Sequence, residues 1–127
     1  MQNNENDKVK VMFVPSYLNG NDGVFNINYN DFLYAFDLSV FPSYYEPWGY
    51  TPMESIAHGI PTVTTDLAGF GRYIQNEKFE NKSVTILHRE EGNGMIVVDE
   101  IVKTILDITS KDNKQIAEIR QNALSLV

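Results

Sequence analysis

Residues 41–54 read FPSYYEPWGYTPME and place two carboxylates, Glu46 and Glu54, eight positions apart. Glu46 lies in a loop flanked by proline, after a short apolar run. Thr51 is a favoured N-cap residue and Pro52 suits the first helical position, so a helix is predicted from Pro52 onward. Because proline disfavours helix in the residue before it, Thr51 itself is expected to be extended. The stretch therefore predicts a strand, a loop and a helix start.

This predicted helix start is suited to binding an anion. The first N–H groups of a helix have no partner within the helix, and the positive end of the helix dipole lies at the same point. Gly49 has no side chain, so its backbone can approach a ligand closely. Together with the two acids, these features indicate a site for a phosphorylated substrate.

Outward from this stretch, strand patterns alternate with helix patterns. Alternation of this kind predicts an α/β domain, a Rossmann-like parallel sheet flanked by helices, with ligands at the carboxyl ends of the strands. Strands are predicted at residues 9–14, 38–41, 62–65 and 84–87, and helices at residues 29–36, at 52–58, near Tyr73, after Asn93-Gly94 and from Asp112 onward. Gly59 is placed where a helix commonly ends. The helix after Gly94 is predicted to bury one apolar face, formed by Val98, Ile101, Val102, Ile105 and Leu106.

The length of 127 residues is that of one domain. We expect residues 1–8 to be a disordered leader and residues 9–127 to form a single Rossmann-like domain. The chain begins just before a predicted strand and stops inside a predicted helix. It is therefore expected to be a fragment of a larger protein.

Composition narrows the classes of function. The net charge of −7 argues against nucleic acid or an anionic membrane as a non-specific partner. The chain has no cysteine, so disulfides, zinc–thiolate sites and thiol catalysis are excluded for it. The polar, acidic N-terminus is unlike a signal peptide, and a cytoplasmic location is predicted. His58 and His88 lack ligand spacing and are predicted to be structural, so no metal site is expected.

One longer string resembles a known family. VFPSYYEPWGYTP, from Val40 to Pro52, followed by Gly59-Ile-Pro61 and Gly69-Phe-Gly71, resembles the glycogen synthases of animals and fungi. These are retaining glycosyltransferases of the GT-B type, with two Rossmann-like domains, and Glu-x7-Glu is typical of such enzymes. The resemblance covers about residues 9–73. It implies that residues 9–127 are the nucleotide-sugar-binding domain of a larger enzyme. It further implies UDP-glucose as donor, an α-1,4-glucan as acceptor, no cofactor, and the N-terminal domain of the same protein as partner.

The resemblance assigns roles to three residues that the local sequence explains in other ways. It makes Glu46 the catalytic acid beside the donor sugar, whereas the sequence alone permits a solvated loop acid. It makes Glu54 a ligand of the ribose, whereas Thr51-x-x-Glu54 also fits a capping box. It makes Tyr29, seventeen positions before Glu46, a stacking partner of the uracil, whereas helical spacing favours core packing.

The turn between the two acids carries the remaining substrate-binding assignments. Backbone N–H groups of Gly49, Tyr50 and Thr51 are predicted to bind the donor diphosphate, by analogy with other helix starts. Trp48 is predicted to contact the sugar or, equally, to pack on the core beneath the loop. Packing is also the alternative for Tyr50.

Two departures from the family limit the expected function. Animal and fungal glycogen synthases carry an arginine-rich helix that senses glucose 6-phosphate, whereas residues 115–127 contain one arginine, Arg120. That regulation is therefore not expected. The family's phosphate-gripping basic residues lie upstream of this chain, so the isolated chain is expected to be inactive. The alternatives are another retaining GT-B transferase with a different donor and acceptor, or a non-catalytic binding module.

Overall fold

A computed structural model describes residues 3–77 and 83–127 of the chain. The chain divides into two compact units, Met1–Phe32 and Leu33–Val127. In the first unit, Asn19 and Asn28 form an antiparallel bridge, and α1 (Tyr29–Leu33) begins directly after it and ends at the first residue of the second unit. The predicted helix over residues 29–36 is thus confirmed with an earlier end.

The prediction of a strand at residues 9–14 is wrong. A strand requires a neighbour that completes its hydrogen-bond ladder. Here both backbone groups of Val11 bond the side-chain amide of Asn3 instead, at 2.9 and 2.7 Å. The apolar side chains are solvated, and Phe13 is 77% exposed.

The second unit contains a parallel three-stranded sheet, which confirms the predicted α/β class. Its strands are β1 (Ser39–Val40), β2 (Thr62–Thr65) and β3 (Val84–Leu87), in the order β1-β2-β3 within the described residues. Val40 pairs with Val63, and Val63 pairs with Thr85. All four residues of β2 are buried, as expected for the central strand of a covered parallel sheet.

Four helices cover this sheet in the described part of the unit: α2 (Tyr50–Ala57), α3 (Gly69–Asn76), α4 (Gly94–Thr109) and α5 (Asn113–Leu124). One core cluster joins α2, α3 and α5 around Ile56, Phe70, Ile74 and Ala123, with Val84 and Ile86 packed against it. A second cluster joins α4 to the sheet through Val63, Leu87 and Val97. Because successive strand side chains point to opposite faces, the two clusters lie on opposite faces of the sheet.

Buried hydroxyl groups fix α2 on the sheet at the beginning of the strands. The Ser55 hydroxyl bonds that of Ser39 at 2.7 Å, and the Ser39 hydroxyl bonds that of Thr62 at 2.8 Å. At its far end α2 stops at Gly59, whose φ of 72° is left-handed, as predicted for this position. The amides of Gly59 and Ile60 bond the carbonyls of Ile56 and Ser55, which closes the helix in a Schellman arrangement.

The buried face of α4 differs from the predicted one. Val97 and Ile108 are buried and Ile101 is partly buried, whereas Val102 and Leu106 are 47% and 63% exposed. Apolar residues of this helix lie on most of its sides, so their spacing could not indicate which face packs on β3. The helix predicted from Asp112 is confirmed, and Asp112 and Gln115 form its capping box.

Candidate functional site

The loop after β1 holds Glu46 at the carboxyl end of the sheet. Glu46 is half-buried, and its carboxylate accepts a hydrogen bond from the Ser43 hydroxyl at 3.4 Å. Its backbone bridges Ala68 in parallel, and its amide N–H donates to the Leu67 carbonyl at 3.4 Å. The acid is therefore held by the adjoining β2–α3 loop, and the prediction that it lies in a strand-to-helix loop is confirmed.

Helix α2 starts two residues earlier than predicted. Gly49 is its N-cap, with a left-handed φ of 105°, and no side chain caps the helix. Thr51 is helical, so the predictions that it is extended and that it is the N-cap are both wrong. Proline is tolerated in a first turn because it lacks only an N–H that has no helical partner there. Pro52 therefore lies inside the helix without breaking it.

The first amide groups of α2 are open, which here means that their N–H groups have no hydrogen-bond acceptor in the described part of the chain. Met53 is the first residue whose N–H bonds across the helix start, to the Gly49 carbonyl at 3.3 Å. In residues 3–77 and 83–127, the N–H groups of Tyr50 and Thr51 find no hydrogen-bond acceptor. A Cβ placed on Gly49 would lie 3.5 Å from the Glu46 carboxylate oxygen Oε2. The open amides and the acid therefore share one small region of the surface.

Glu54 lies in the second turn of α2 with its side chain exposed. The capping box with Thr51 is absent, because the helix already begins before Thr51. Helix capping therefore does not explain Glu54, and its carboxylate is available to a ligand. The assignment to the ribose remains a prediction.

Trp48 packs on the core. Its indole N–H contacts the Met53 sulfur at 3.4 Å, and its ring meets Phe70 edge-on with centroids 6.2 Å apart. Tyr50 does not share this packing, since it is 67% exposed. The packing alternative therefore accounts for Trp48 and not for Tyr50.

Tyr29 is the first residue of α1 and belongs to the other unit. It is half-buried, and its amide bonds the Leu18 carbonyl at 3.1 Å. Its assignment to the uracil base remains a prediction from the resemblance.

A cluster of charged residues at the ends of β2 and β3 did not emerge from the sequence. Asp66 follows β2, and its Oδ2 contacts Nδ1 of His88 at 2.5 Å. Its Oδ1 accepts the Arg89 amide N–H at 3.0 Å. The guanidinium of Arg89 lies over the Tyr44 ring, 3.6 Å from its centroid. One signal was present, because Asp66 and His88 directly follow predicted strands, Arg89 comes one residue later, and such positions meet at one edge of a parallel sheet.

The pKa values of Asp66 and His88 in this cluster are both shifted from their ordinary values. The hydrogen bond to Asp66, followed by the negative charge of that carboxylate, raises the pKa of His88. Partial burial pushes the pKa of Asp66 upward, but hydrogen bonds from His88 and from the Arg89 amide outweigh burial and lower it overall. Both shifts favour the charged pair.

His58 has a structural position, as predicted. Its Nδ1 bonds the Glu54 carbonyl at 2.7 Å, and its ring meets Tyr34 edge-on at 5.1 Å. Across residues 3–77 and 83–127, no three His, Asp or Glu side chains gather as metal ligands would. None of the helices in these two ranges combines the length and the apolar character that crossing a bilayer requires.

The parallel sheet and its flanking helices define an α/β domain, and the acid and the unbonded helix-start amides form a candidate ligand site at the carboxyl edge of the sheet. Sequence comparison identifies the family. A family model described as glycogen synthase matches residues 1–126, and the chain belongs to that family.

Three relatives illustrate the similarity. Glycogen (starch) synthase of Caenorhabditis elegans is 38% identical over 115 residues, 89% of this chain and 17% of that protein. Isoform 1 of Saccharomyces cerevisiae is 35% identical over 117 residues, 89% of this chain and 16% of that protein. The human liver enzyme is 49% identical over 73 residues, 58% of this chain and 10% of that protein. This chain thus spans less than a fifth of the length of these relatives.

Proposed function

We propose that this chain is the donor-binding domain of a retaining GT-B glycosyltransferase that transfers glucose from UDP-glucose to an α-1,4-glucan. Family membership supports the reaction type. One observation carries the site: the unbonded amides of Tyr50 and Thr51 lie beside Gly49, whose backbone approaches the Glu46 carboxylate. This arrangement suits a diphosphate that is attached to a sugar.

The diphosphate binds at the start of α2. Two free N–H groups and the positive end of the helix dipole favour the anion, and each such contribution amounts to about 0.3–1 kcal/mol at an exposed site. Gly49 supplies the left-handed turn that precedes these two amides. The exposed Glu54, one turn further along α2, accepts hydrogen bonds from the ribose, and Tyr29 stacks on the uracil. Trp48 supports the loop by packing on Phe70.

Glu46 acts at the sugar. When the bond to the leaving phosphate breaks, positive charge grows on the anomeric carbon, and a nearby carboxylate stabilises that charge. Glu46 does not become a covalent nucleophile, because the departing phosphate assists attack on the same face of the ring and so preserves the configuration. The reaction uses no metal or cofactor. The acceptor site and the basic residues that grip the phosphates lie upstream of this chain in a cytoplasmic enzyme, which also supplies the N-terminal domain as partner, so the isolated chain is inactive.

Replacement of Glu46 in the complete enzyme tests this function. Glu46→Gln keeps the size of the side chain and removes its charge, so turnover with UDP-glucose should fall about 100-fold or more while UDP affinity changes little. Glu118→Gln, an exposed acid on α5, is the matched control and should leave both unchanged. Steady-state kinetics and calorimetry with UDP measure the two effects. Near-normal turnover in Glu46→Gln would remove Glu46 from catalysis.

The donor and the reaction are tested separately. Product formation from UDP-glucose and from ADP-glucose in the complete enzyme distinguishes this proposal from another GT-B transferase. Calorimetry with UDP distinguishes it from a non-catalytic module: no heat of binding in a protein that includes the upstream basic residues would contradict the proposal.

A further inference from the structure

We infer that His88 and Arg89, at the end of β3, position the Glu46 loop through Asp66 and Tyr44. These four residues are here called the β3 clamp. The physical linkage stands on the contacts below, whereas its consequence for catalysis rests on the function proposed above for Glu46. His88, Arg89 and Asp66 are positioning residues, because their effect on the donor sugar is transmitted through the loop.

Asp66 is held from β3 by three contacts. Its amide N–H donates to the Leu87 carbonyl at 3.0 Å, which continues the β2–β3 ladder by one residue. One carboxylate oxygen accepts the Arg89 amide at 3.0 Å and the other contacts His88 at 2.5 Å. The Asp66 side chain is 21% exposed, so these bonds lie partly out of water. The residue that opens the β2–α3 loop is therefore fixed to the end of β3.

The next residues of that loop hold the Glu46 loop by its backbone. The Leu67 carbonyl accepts the Glu46 amide at 3.4 Å, and the Gly69 amide donates to the Glu46 carbonyl at 3.1 Å. The Phe70 amide donates to the Trp48 carbonyl at 2.5 Å. A displacement of the β2–α3 loop would therefore move the backbone on both sides of the catalytic candidate.

Arg89 reaches the same loop directly. Its guanidinium lies 3.6 Å from the centroid of the Tyr44 ring, two positions before Glu46. In the described part of the chain Arg89 pairs with no carboxylate, and its Nε has no hydrogen-bond partner. A guanidinium over the face of a tyrosine ring is attracted by the negative face of the ring's quadrupole. The ring contact is thus a principal side-chain interaction of Arg89.

Protonation of His88 strengthens its contact with Asp66 in the β3 clamp. The imidazole faces Asp66 at 2.5 Å and Glu90 at 3.7 Å, while the neighbouring cations Arg89 and Arg72 contact Tyr44 and the Asp66 carbonyl. Two carboxylates facing one imidazole stabilise its charged form, consistent with the raised pKa of His88. The link to Asp66 should therefore be strongest while His88 is protonated and should weaken as the pH rises through that raised pKa.

Amide hydrogen exchange of the 127-residue chain tests the clamp without any requirement for activity. The reporters are the Gly69 and Phe70 amides, and an amide in α5, that of Ile119, reports global opening. Asp66→Ala should reduce protection of the two reporters on the order of tenfold, because hydrogen bonds to a charged group are lost. Asp66→Asn retains an acceptor for the Arg89 amide, so most protection should remain while its dependence on the titration of His88 disappears.

The control is Asp107→Asn on α4, which removes an ion pair with Lys111 and should leave both reporters unchanged. Unchanged protection in Asp66→Ala, or a loss matched in the α5 amide, overturns the clamp whatever the activity. In the complete enzyme, Asp66→Ala should lower kcat more than UDP affinity, and Asp66→Asn should restore part of kcat. Lost protection with undiminished kcat upholds the clamp and counts against the catalytic role of Glu46.

Discussion

Helices α2 and α3 begin at the same edge of the sheet and differ in what their first amides bond. Each follows a parallel strand and a loop, and a glycine lies at each start, as the N-cap Gly49 of α2 and the first residue Gly69 of α3. At α3, the first two amides are bonded to the carbonyls of Glu46 and Trp48. At α2, the first two amides are open. A helix start is therefore a potential anion site only where the fold leaves its N–H groups without hydrogen-bond acceptors.

The Glu46 loop, which connects β1 to α2, therefore has one bonded side and one unbonded end. Its Glu46 and Trp48 carbonyls accept the first two amides of α3, which holds the loop against that helix. Its other end passes through Gly49 into α2, where the left-handed φ of 105° turns the chain without placing a side chain over the open amides. One helix start holds the loop and the other offers a ligand site.

Of the changes that test this difference between the two helix starts, Gly69→Ala should have the largest effect on stability. A Cβ at Gly69 would lie 2.3 Å from the Pro47 carbonyl oxygen and 3.0 Å from the Trp48 Cα. Overpacking of this kind typically costs about 1–3 kcal/mol, so the free energy of unfolding measured with urea should fall by that amount. Gly94→Ala, at the first residue of α4, is the control because its Cβ would meet nothing within 4 Å. Equal stabilities of the two variants would show that α3 does not require close contact with the loop.

Nucleotide binding should distinguish the two helix starts with a smaller effect. In an NMR titration of the chain with UDP, the Tyr50 and Thr51 amide resonances should shift, and those of Gly69 and Phe70 should not. Because a helix terminus contributes only about 0.3–1 kcal/mol per interaction, weak binding is expected. Uridine at matched ionic strength is the control, since it lacks the phosphates. Larger shifts at α3 than at α2 would reverse the assignment of the open site.

The smallest expected effect is the pH dependence of the free energy of unfolding. It tests whether the Asp66–His88 pair stabilises the loop that leads into α3. The pKa of His88 is raised above 6.5, so its contribution is complete below pH 6.5 and is lost as the pH rises through the raised value. The pKa of Asp66 is lowered below 3.8, so its contribution is complete above pH 3.8 and is lost as the pH falls further.

The pair should therefore contribute most between pH 3.8 and 6.5. Urea unfolding across this range, compared with Asp66→Asn, isolates the contribution of the pair from that of other titrating groups. Parallel pH profiles for the two proteins would show that the ion pair does not stabilise the chain. Because His88 is 69% exposed, solvent screening keeps the difference small.

Most of the sheet could be predicted because its strands carry local signals. The residues of β2 and β3 lie at the predicted positions, since short β-branched runs bounded by turn residues favour strands. The failure at residues 9–14 has the opposite cause. An apolar run is compatible with a strand, but a strand forms only when a neighbour accepts its backbone hydrogen bonds.

The sequence predicted which residues form the candidate site, but it did not predict the tertiary contacts that hold them. The string around Glu46 contained the acid, the glycine and the helix start. It could not reveal that the helix begins before Thr51, because proline restricts its predecessor only as a preference. Nor could it reveal the contacts of Asp66 with the His88 side chain and the Arg89 amide, which form only after parallel strands bring residues 22 and 23 positions apart together.

The sequence by itself determined the α/β class, the strands β2 and β3, the end of α2 at Gly59 and the family. Local propensities and one long string suffice for these. Tertiary structure decided which face of α4 is buried, which helix start remains open and what holds the Glu46 loop. These depend on backbone groups and charges that are distant in sequence, and a hydrogen bond between them exists only after the sheet has assembled.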